Sequence, residues 1–307
     1  MKLLLGLAGA LILMPLMASA DEAKGDPEAK AVATRPAADR PPRPPIVLGA
    51  DDKAVFAPPP DTIFMARPGI PHGKIEMVSY VSTTVGTTRK MMVYTPPGYS
   101  PDRRYPVVYL LHGIGGDETE WERYVHPEVL FDNLIADGAM VPMIAVFPNG
   151  RAESNDRAEG DIFAHMKAFA NFEGDLLHDV VPFIDAHYAS LTDPGHRALA
   201  GLSMGGGQSL NFGLTHLDTF SWVGAFSAAP NAKAPQELIP DPAATSRKLK
   251  LLWVSCGNRD GLIYIGQGFH AYLKAKGIAH IWQVDSNAHD TPEWKNSLYL
   301  FSQRIFR

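Results

Sequence analysis

Residues 197–210 have the sequence RALAGLSMGGGQSL, and the pattern of the chain changes in the middle of this stretch. Its first four residues form an apolar run typical of a buried strand, whereas residues 206–210 favour the start of a helix. Between them lies Gly201-Leu202-Ser203-Met204-Gly205, a G-x-S-x-G pattern. Between a strand and a helix, this pattern predicts a nucleophile elbow, a sharp turn that exposes the serine hydroxyl at the edge of a sheet.

The two outer glycines of this pattern have a steric reason. Such a turn forces its serine into strained backbone geometry and brings neighbouring backbone very close, so that a Cβ atom at Gly201 or Gly205 would clash. We therefore expect Ser203 to be a nucleophile held above the edge of the sheet. The alternative is an ordinary serine in a glycine-rich turn.

Predicted strands and helices alternate along the rest of the chain. Continuous apolar runs at 105–111, 143–147, 251–254 and 281–284 are typical of strands covered on both faces. Alternating patterns at 74–82 and 89–94 predict an antiparallel pair joined around Gly86. Helical patterns occupy residues 129–137, 172–188, 207–215, 265–276 and 292–306. The alternation predicts an α/β fold with a mostly parallel central sheet, helices on both faces, and function at the carboxyl ends of the strands.

An acid and a histidine follow the last two predicted strands. Asp260 lies in a glycine-bounded loop after the first of them, and His289 lies in a polar loop after the second. Together with Ser203 they have the order serine, acid, histidine that a nucleophile elbow leads us to expect. Asp285 and Asp290 are competing acids, but each is too close to His289 along the chain to brace its far ring nitrogen easily. A histidine on a surface loop is the alternative interpretation of His289.

These residue types suit acyl transfer. A serine hydroxyl is a poor nucleophile, so a histidine must accept its proton, and an acid must fix the imidazole tautomer. Backbone amides must also face the developing oxyanion. We assign one to Met204 in the elbow and the other to Ile114, in the loop that follows the strand at 105–111. His112 in that loop is expected to shape it by a side-chain hydrogen bond.

The N-terminal third of the chain predicts export. Residues 1–20 carry one positive charge, an apolar stretch and the ending Ala18-Ser19-Ala20, as in a cleavable signal peptide. Residues 21–60 are rich in proline, alanine and charge, which predicts a flexible tether, and residues 61–307 form the predicted enzyme domain. We therefore expect a secreted or periplasmic protein without stable membrane insertion after signal cleavage.

Charge and cysteine content narrow the possible partners. The formal net charge is -5 and basic residues are not clustered, so nucleic-acid binding is not expected. The single cysteine, Cys256, has no intramolecular disulfide partner and is expected to be a small buried residue at a strand end.

Four stretches together resemble a known family. They are YPVVYLLHGIGG at 105–116, FPNG at 147–150, HRALAGLSMGGGQS at 196–209, and His289-Asp290 followed by Trp294. They resemble the esterase D-like α/β-hydrolases and, within that superfamily, are most similar to carbohydrate esterase family 1, the feruloyl and acetyl-xylan esterases. The resemblance implies the α/β-hydrolase fold, a Ser203, Asp260 and His289 triad with Ile114 and Met204 as oxyanion amides, and no metal or organic cofactor.

The expected function is that of a serine carboxylic-ester hydrolase acting on a small-molecule or carbohydrate ester, releasing ferulic or a related hydroxycinnamic acid from sugar esters. An aromatic acid needs a flat apolar slot, and we expect Trp121 and Trp294 to line it. The alternative is that both simply pack helices onto the sheet. Other candidates are an acetyl-xylan, other acetyl or siderophore esterase, and a non-catalytic carbohydrate-binding descendant. No triad residue is missing, as would be expected of such a descendant.

Overall fold

The computed structural model describes residues 44–307, so the predicted signal peptide and the first part of the predicted tether lie outside the described residues. An eight-stranded sheet crosses the molecule in the order β1-β2-β4-β3-β5-β6-β7-β8. The strands are β1 Lys74–Ser82, β2 Thr87–Thr95, β3 Val107–Leu111, β4 Ile144–Pro148, β5 Arg197–Leu202, β6 Trp222–Phe226, β7 Leu251–Gly257 and β8 Ile281–Asp285. β2 pairs antiparallel with β1 and β4, and all other pairs are parallel.

Helices cover both faces of this sheet. They are α1 Glu120–Val125, α2 Pro127–Ala136, α3 Met166–Asp175, α4 Val181–His187, α5 Met204–Thr215, α6 Pro235–Leu238, α7 Pro242–Lys248, α8 Ile263–Ala275 and α9 Thr291–Ser302. A π-helical turn, Leu176–Val180, joins α3 to α4. Side chains of α1, α2 and α9 pack on one face, and those of α3, α4, α5 and α8 pack on the other.

Strand β3 shows why the central strands are apolar throughout. Val108 and Leu110 pack in the cluster under α1, α2 and α9, whereas Val107, Tyr109 and Leu111 pack under α3 and α4. Successive side chains of a strand point to opposite faces, so a strand covered on both sides must be apolar at every position. The predicted α/β fold with a mostly parallel sheet is confirmed.

The described part of the predicted tether is not free. Residues 44–60, called the N-terminal strap below, lie along β8, the last strand of the sheet. Val284 N–H donates to the carbonyl of Lys53 at 3.2 Å. The side-chain oxygen of Gln283 accepts hydrogen bonds from Val55 N–H at 2.8 Å and from Phe56 N–H at 3.0 Å. The prediction of a flexible tether is therefore wrong for this part of it.

A few side chains anchor the strap to the domain. Phe56 stacks on Trp253, with 6.0 Å between ring centroids, and the Arg304 guanidinium lies 3.7 Å from the centre of the Phe56 ring. Asp52 accepts a hydrogen bond of 2.8 Å from the indole N–H of Trp282. The composition correctly indicates that the strap has no core of its own. However, backbone hydrogen bonds and a few anchors on an existing domain stabilise an extended segment without one.

Candidate active site

The elbow lies between β5 and α5. Ser203 has φ 49° and ψ -113°, a strained conformation for a residue with a Cβ atom. Its N–H donates to the carbonyl of Phe226 at 2.9 Å, so the end of β6 helps to hold the turn. A Cβ atom at Gly201 would lie 2.6 Å from the carbonyl carbon of Gly205, and one at Gly205 would lie 2.5 Å from the carbonyl oxygen of Leu111. Both clashes agree with the steric reason inferred from the sequence.

The structure brings Ser203, His289 and Asp260 together in one chain of hydrogen bonds. The distance from His289 Nε2 to Ser203 Oγ is 2.9 Å, and that from His289 Nδ1 to Asp260 Oδ2 is 2.7 Å. Because an ionised carboxylate only accepts, Nδ1 carries the proton and Nε2 is left to accept from the serine hydroxyl. Neither competing acid is used: Asp285 binds the side chains of Asn287 and Asn296, and Asp290 accepts from a backbone amide at the start of α9.

Asp260 is fully buried and has several donors. Leu262 N–H donates to its Oδ1 at 2.7 Å, and the Cys256 thiol donates to its Oδ2 at 3.3 Å. Burial by itself would raise the pKa of Asp260, but the hydrogen bonds from His289, Leu262 and Cys256 and the His289 charge outweigh it and hold the pKa below its usual value. Burial first, and then the charge of Asp260, raise the pKa of Cys256, so its thiol stays protonated and can donate. Cys256 is buried at the end of β7, as expected, and its contact with the acid was not foreseen.

The loop after β3 lies against the elbow. The close approach of Gly205 to the carbonyl oxygens of Leu111 and His112 places the first turn of α5 beside the end of this strand. The side chains of Ile114 and Met204 belong to one apolar cluster. The two residues assigned to the oxyanion site are therefore neighbours, and the role of their amides remains a prediction.

His112 shapes this loop, as expected. It is 1% exposed, and its Nε2 accepts a hydrogen bond of 2.8 Å from Gly150 N–H. Its Nδ1 must then carry the proton, which it donates to the carbonyl of Gly113 at 2.6 Å. Burial lowers the pKa of His112, consistent with a neutral ring. A buried Glu120, which we did not single out from the sequence, accepts from Gly113 N–H at 2.6 Å.

Trp121 and Trp294 do not line an open slot. Each is 1% exposed. The indole N–H of Trp121 donates to the carbonyl of Leu111 at 3.1 Å, and the Trp294 ring contacts the His289 ring edge to face at 5.7 Å between centroids. The prediction that they contact substrate is wrong, because α1 and α9 turn these side chains inward onto the sheet. They support the loops that carry Ile114 and His289.

A buried carboxyl group near the triad was also missed. Glu293 lies in the first turn of α9, is 1% exposed, and accepts a hydrogen bond of 2.7 Å from Ser297. Burial first, and then the charge of Asp285, raise the pKa of Glu293 to about 8. The group is therefore protonated at neutral pH in the folded protein.

This pKa predicts how stability changes with pH. An acid with a pKa of about 8 when folded and 4.5 when unfolded binds more protons in the native state between these values. Stability is therefore lost as pH rises through this range, by about 1.4 kcal/mol per pH unit. We expect Glu293→Gln to remove this loss, so that its stability relative to the native protein improves by about 3 kcal/mol between pH 5 and 7. Urea unfolding at both pH values measures it.

The exposed Glu237 provides the control for this experiment. Glu237→Gln should give the same difference from the native protein at both pH values. A Glu293→Gln difference that is equally constant would contradict a buried protonated carboxyl.

Candidate metal ligands lie elsewhere. In residues 44–307, ligand atoms of Glu122, His126 and Glu128 come within 4.8 Å of one another. They lie on α1, α2 and the residue between these helices, and none belongs to the triad. Within the same range, every helix is too short or too polar to cross a bilayer.

Comparison with known proteins identifies the family. The Esterase family model matches residues 82–298. The chain is 33% identical over 263 residues to the endo-1,4-beta-xylanase/feruloyl esterase of Xylanibacter ruminicola, covering 83% of this chain and 35% of that protein. It is 30% identical over 162 residues to endo-1,4-beta-xylanase Y of Acetivibrio thermocellus, covering 49% of this chain and 14% of that protein. The chain thus spans at most about a third of the length of these two curated relatives.

Solved structures agree with this result. A CE1 ferulic acid esterase from the anaerobic fungus Anaeromyces mucronatus matches with a TM-score of 0.71 and 27% identity, over 81% of this chain and 96% of that one. An S-formylglutathione hydrolase from Staphylococcus aureus matches with a TM-score of 0.63 and 20% identity, over 78% of this chain and 99% of that one, and shows the fold alone. The chain therefore belongs to the Esterase family and has the α/β-hydrolase fold.

Proposed function

We propose that this chain is a secreted or periplasmic serine carboxylic-ester hydrolase that releases ferulic or a related hydroxycinnamic acid from sugar esters. The carrying observation is the hydrogen-bond chain Ser203–His289–Asp260, with distances of 2.9 and 2.7 Å, at the carboxyl ends of β5, β7 and β8. The two relatives named for ferulic acid esterase activity support the aromatic acyl group. The sequence of residues 1–20 supports export.

The first half of the proposed reaction forms an acyl-enzyme. Ser203 Oγ attacks the ester carbonyl carbon while its proton passes to His289 Nε2, and the charge of Asp260 stabilises the imidazolium. The carbonyl oxygen becomes an oxyanion that accepts from the amides of Ile114 and Met204. When the carbon–oxygen bond to the alcohol breaks, His289 gives its proton to the leaving sugar hydroxyl.

The second half removes the acyl group. Water attacks the acyl-enzyme carbonyl and gives a proton to His289 Nε2, and the same amides stabilise the second oxyanion. The bond to Ser203 Oγ then breaks, the serine regains its proton from His289, and the free acid leaves. Met204 is the first residue of α5, so the positive end of the helix dipole also favours negative charge here.

An acetyl esterase, for xylan or another acetylated sugar, is the second candidate. The specific observation in its favour is the burial of Trp121 and Trp294, which removes the aromatic slot inferred from the sequence. An acetyl group needs no such slot. A non-catalytic sugar-binding protein is disfavoured because its triad would not need to be complete.

A substrate panel tests the acyl group. On purified protein we expect kcat/KM for methyl ferulate to exceed that for methyl butanoate at least about tenfold, because contacts to an aromatic ring contribute about 1–3 kcal/mol. Acetylated xylan should be a poorer substrate than a feruloylated arabinoxylan fragment of the same chain length. Initial rates of acid release measure both comparisons, with Ser203→Ala protein as the background. Preference for acetylated xylan would select the acetyl esterase instead.

A further inference from the structure

We propose that Arg151 is a positioning residue that fixes the oxyanion loop by holding the carbonyl of Ile114, an inference that rests on the proposed function. Arg151 is 1% exposed, and its Nη2 donates to the carbonyl oxygen of Ile114. Its guanidinium lies over the ring of Phe169, 5.1 Å from the centroid. Because a buried side chain of this kind cannot reach a substrate, its effect must pass through the loop that it holds.

The two peptide groups that flank Ile114 have separate anchors. His112 donates to the carbonyl of Gly113, which shares a peptide plane with Ile114 N–H. In a trans peptide the carbonyl and the N–H point in opposite directions, so this hydrogen bond sets the direction of the amide assigned to the oxyanion. Arg151 holds the next peptide plane through the carbonyl of Ile114. Both backbone torsions of Ile114 are thereby restrained.

The sequence explains why this second anchor is needed. Ile114 is followed by Gly115 and Gly116, and glycine restricts the backbone least of all residues. Without a partner for its carbonyl, the plane after Ile114 could rotate and carry the loop away from Ser203. The rate of acyl transfer depends on how accurately the amides face the oxyanion.

Arg151 is itself held from behind by a second buried arginine. Arg89, on β2, donates to the carbonyl of Asn149 at 2.8 Å and to that of Arg151 at 2.6 Å. Arg89 also pairs with the fully buried Asp175 of α3. The segment after β4 is thus fixed to a strand and a helix before it reaches the oxyanion loop. A guanidinium on such a support can define the position of Ile114.

The chain offers a matched control in Arg197. This residue is 7% exposed, pairs with Asp185 and donates to the carbonyl of Thr192. Like Arg151, it has a buried Nε without a hydrogen-bond partner among the described residues. It lies at the first residue of β5, whereas Ser203 follows the last. Its loss should affect stability alone.

The experiment compares Arg151→Met, Arg151→Lys and Arg197→Met. We measure melting temperature, kcat and KM with p-nitrophenyl acetate, and the inhibition constant of a trifluoromethyl ketone, whose adduct carries an oxyanion. For Arg151→Met we expect kcat to fall by about 10²-fold, close to the loss of one oxyanion donor, with KM changed less than about threefold. Inhibition by the ketone should weaken by a similar factor. Arg151→Lys should recover part of both, and Arg197→Met should lower only the melting temperature.

Several outcomes would overturn the inference. One is a normal kcat and ketone inhibition in Arg151→Met; another is an equal loss of kcat in Arg197→Met. If Arg151→Met does not fold, Arg151→Lys decides: native kcat with a lowered melting temperature would assign Arg151 to stability alone. Failure of the proposed function differs, because the native protein would then hydrolyse no ester or would not lose activity in Ser203→Ala.

Discussion

Replacing Ser203 by alanine is expected to lower kcat by at least about 10³-fold on any ester that the protein hydrolyses, because no acyl-enzyme can form. The fold should remain intact. Alanine keeps the Cβ atom, so the strain at φ 49° is unchanged, and the lost contact is the 2.9 Å hydrogen bond to His289. Initial rates and differential scanning calorimetry of both proteins measure the two effects.

A covalent label and a matched serine complete this test. A fluorophosphonate should react with Ser203, and mass spectrometry of the digested protein should find the label on the peptide that contains the elbow. Ser190 is the control, because it is also 2% exposed and donates to a side chain, Asp185, at 2.7 Å. Ser190→Ala should react with the label at the native rate. A label on another serine, or equal activity in Ser203→Ala, would defeat the assignment of the nucleophile.

Removing the N-terminal strap is expected to cause the largest loss of stability. A chain that begins at residue 61 loses the hydrogen bonds of Val284, Gln283 and Trp282 to the strap, together with the stack of Phe56 on Trp253. At about 1 kcal/mol for each hydrogen bond, the loss is roughly 4 kcal/mol. For a domain of this size that corresponds to a fall in melting temperature of roughly 10 °C.

Calorimetry of chains that begin at residues 21, 44 and 61 measures this effect. The chain from residue 44 is the control, since it keeps every described contact of the strap. Phe56→Ala in that chain should cause part of the loss. Equal melting temperatures for the chains from 44 and 61 would mean that the strap contributes nothing to stability, as the tether prediction held. Comparing the chains from 21 and 44 tests the remaining part of that prediction.

The sequence predicted those parts of the fold that have local signals. The elbow was recognisable because the strained serine and its two glycines must be adjacent in the chain. Asp260 and His289 could be assigned because each follows a strand in the expected order. Strand β6, Trp222–Phe226, was missed, because a five-residue apolar run with an internal glycine has no periodicity that separates it from a helix fragment.

Other features depend on contacts between distant residues. Trp121 and Trp294 were placed after the correct loops, but neither pattern shows which side of its helix faces the sheet. Glu293 occupies the first turn of a helix, where an exposed acid is common, and only the packed structure buries it. Arg151 had a usable signal that we did not follow: it comes directly after the FPNG stretch at the carboxyl end of β4, next to β3.

The position of the strap on β8 also bears on self-association. β8 is the last strand of the described sheet, and the outer side of such a strand presents backbone donors and acceptors that can pair with another molecule. The Lys53 carbonyl already accepts from Val284 N–H, and the Gln283 side chain holds the strap alongside. A second chain would have to displace this segment before it could add a strand here. The strap therefore acts as a built-in guard against edge-to-edge aggregation, and a protease that cut it away would leave a folded molecule with a sticky edge.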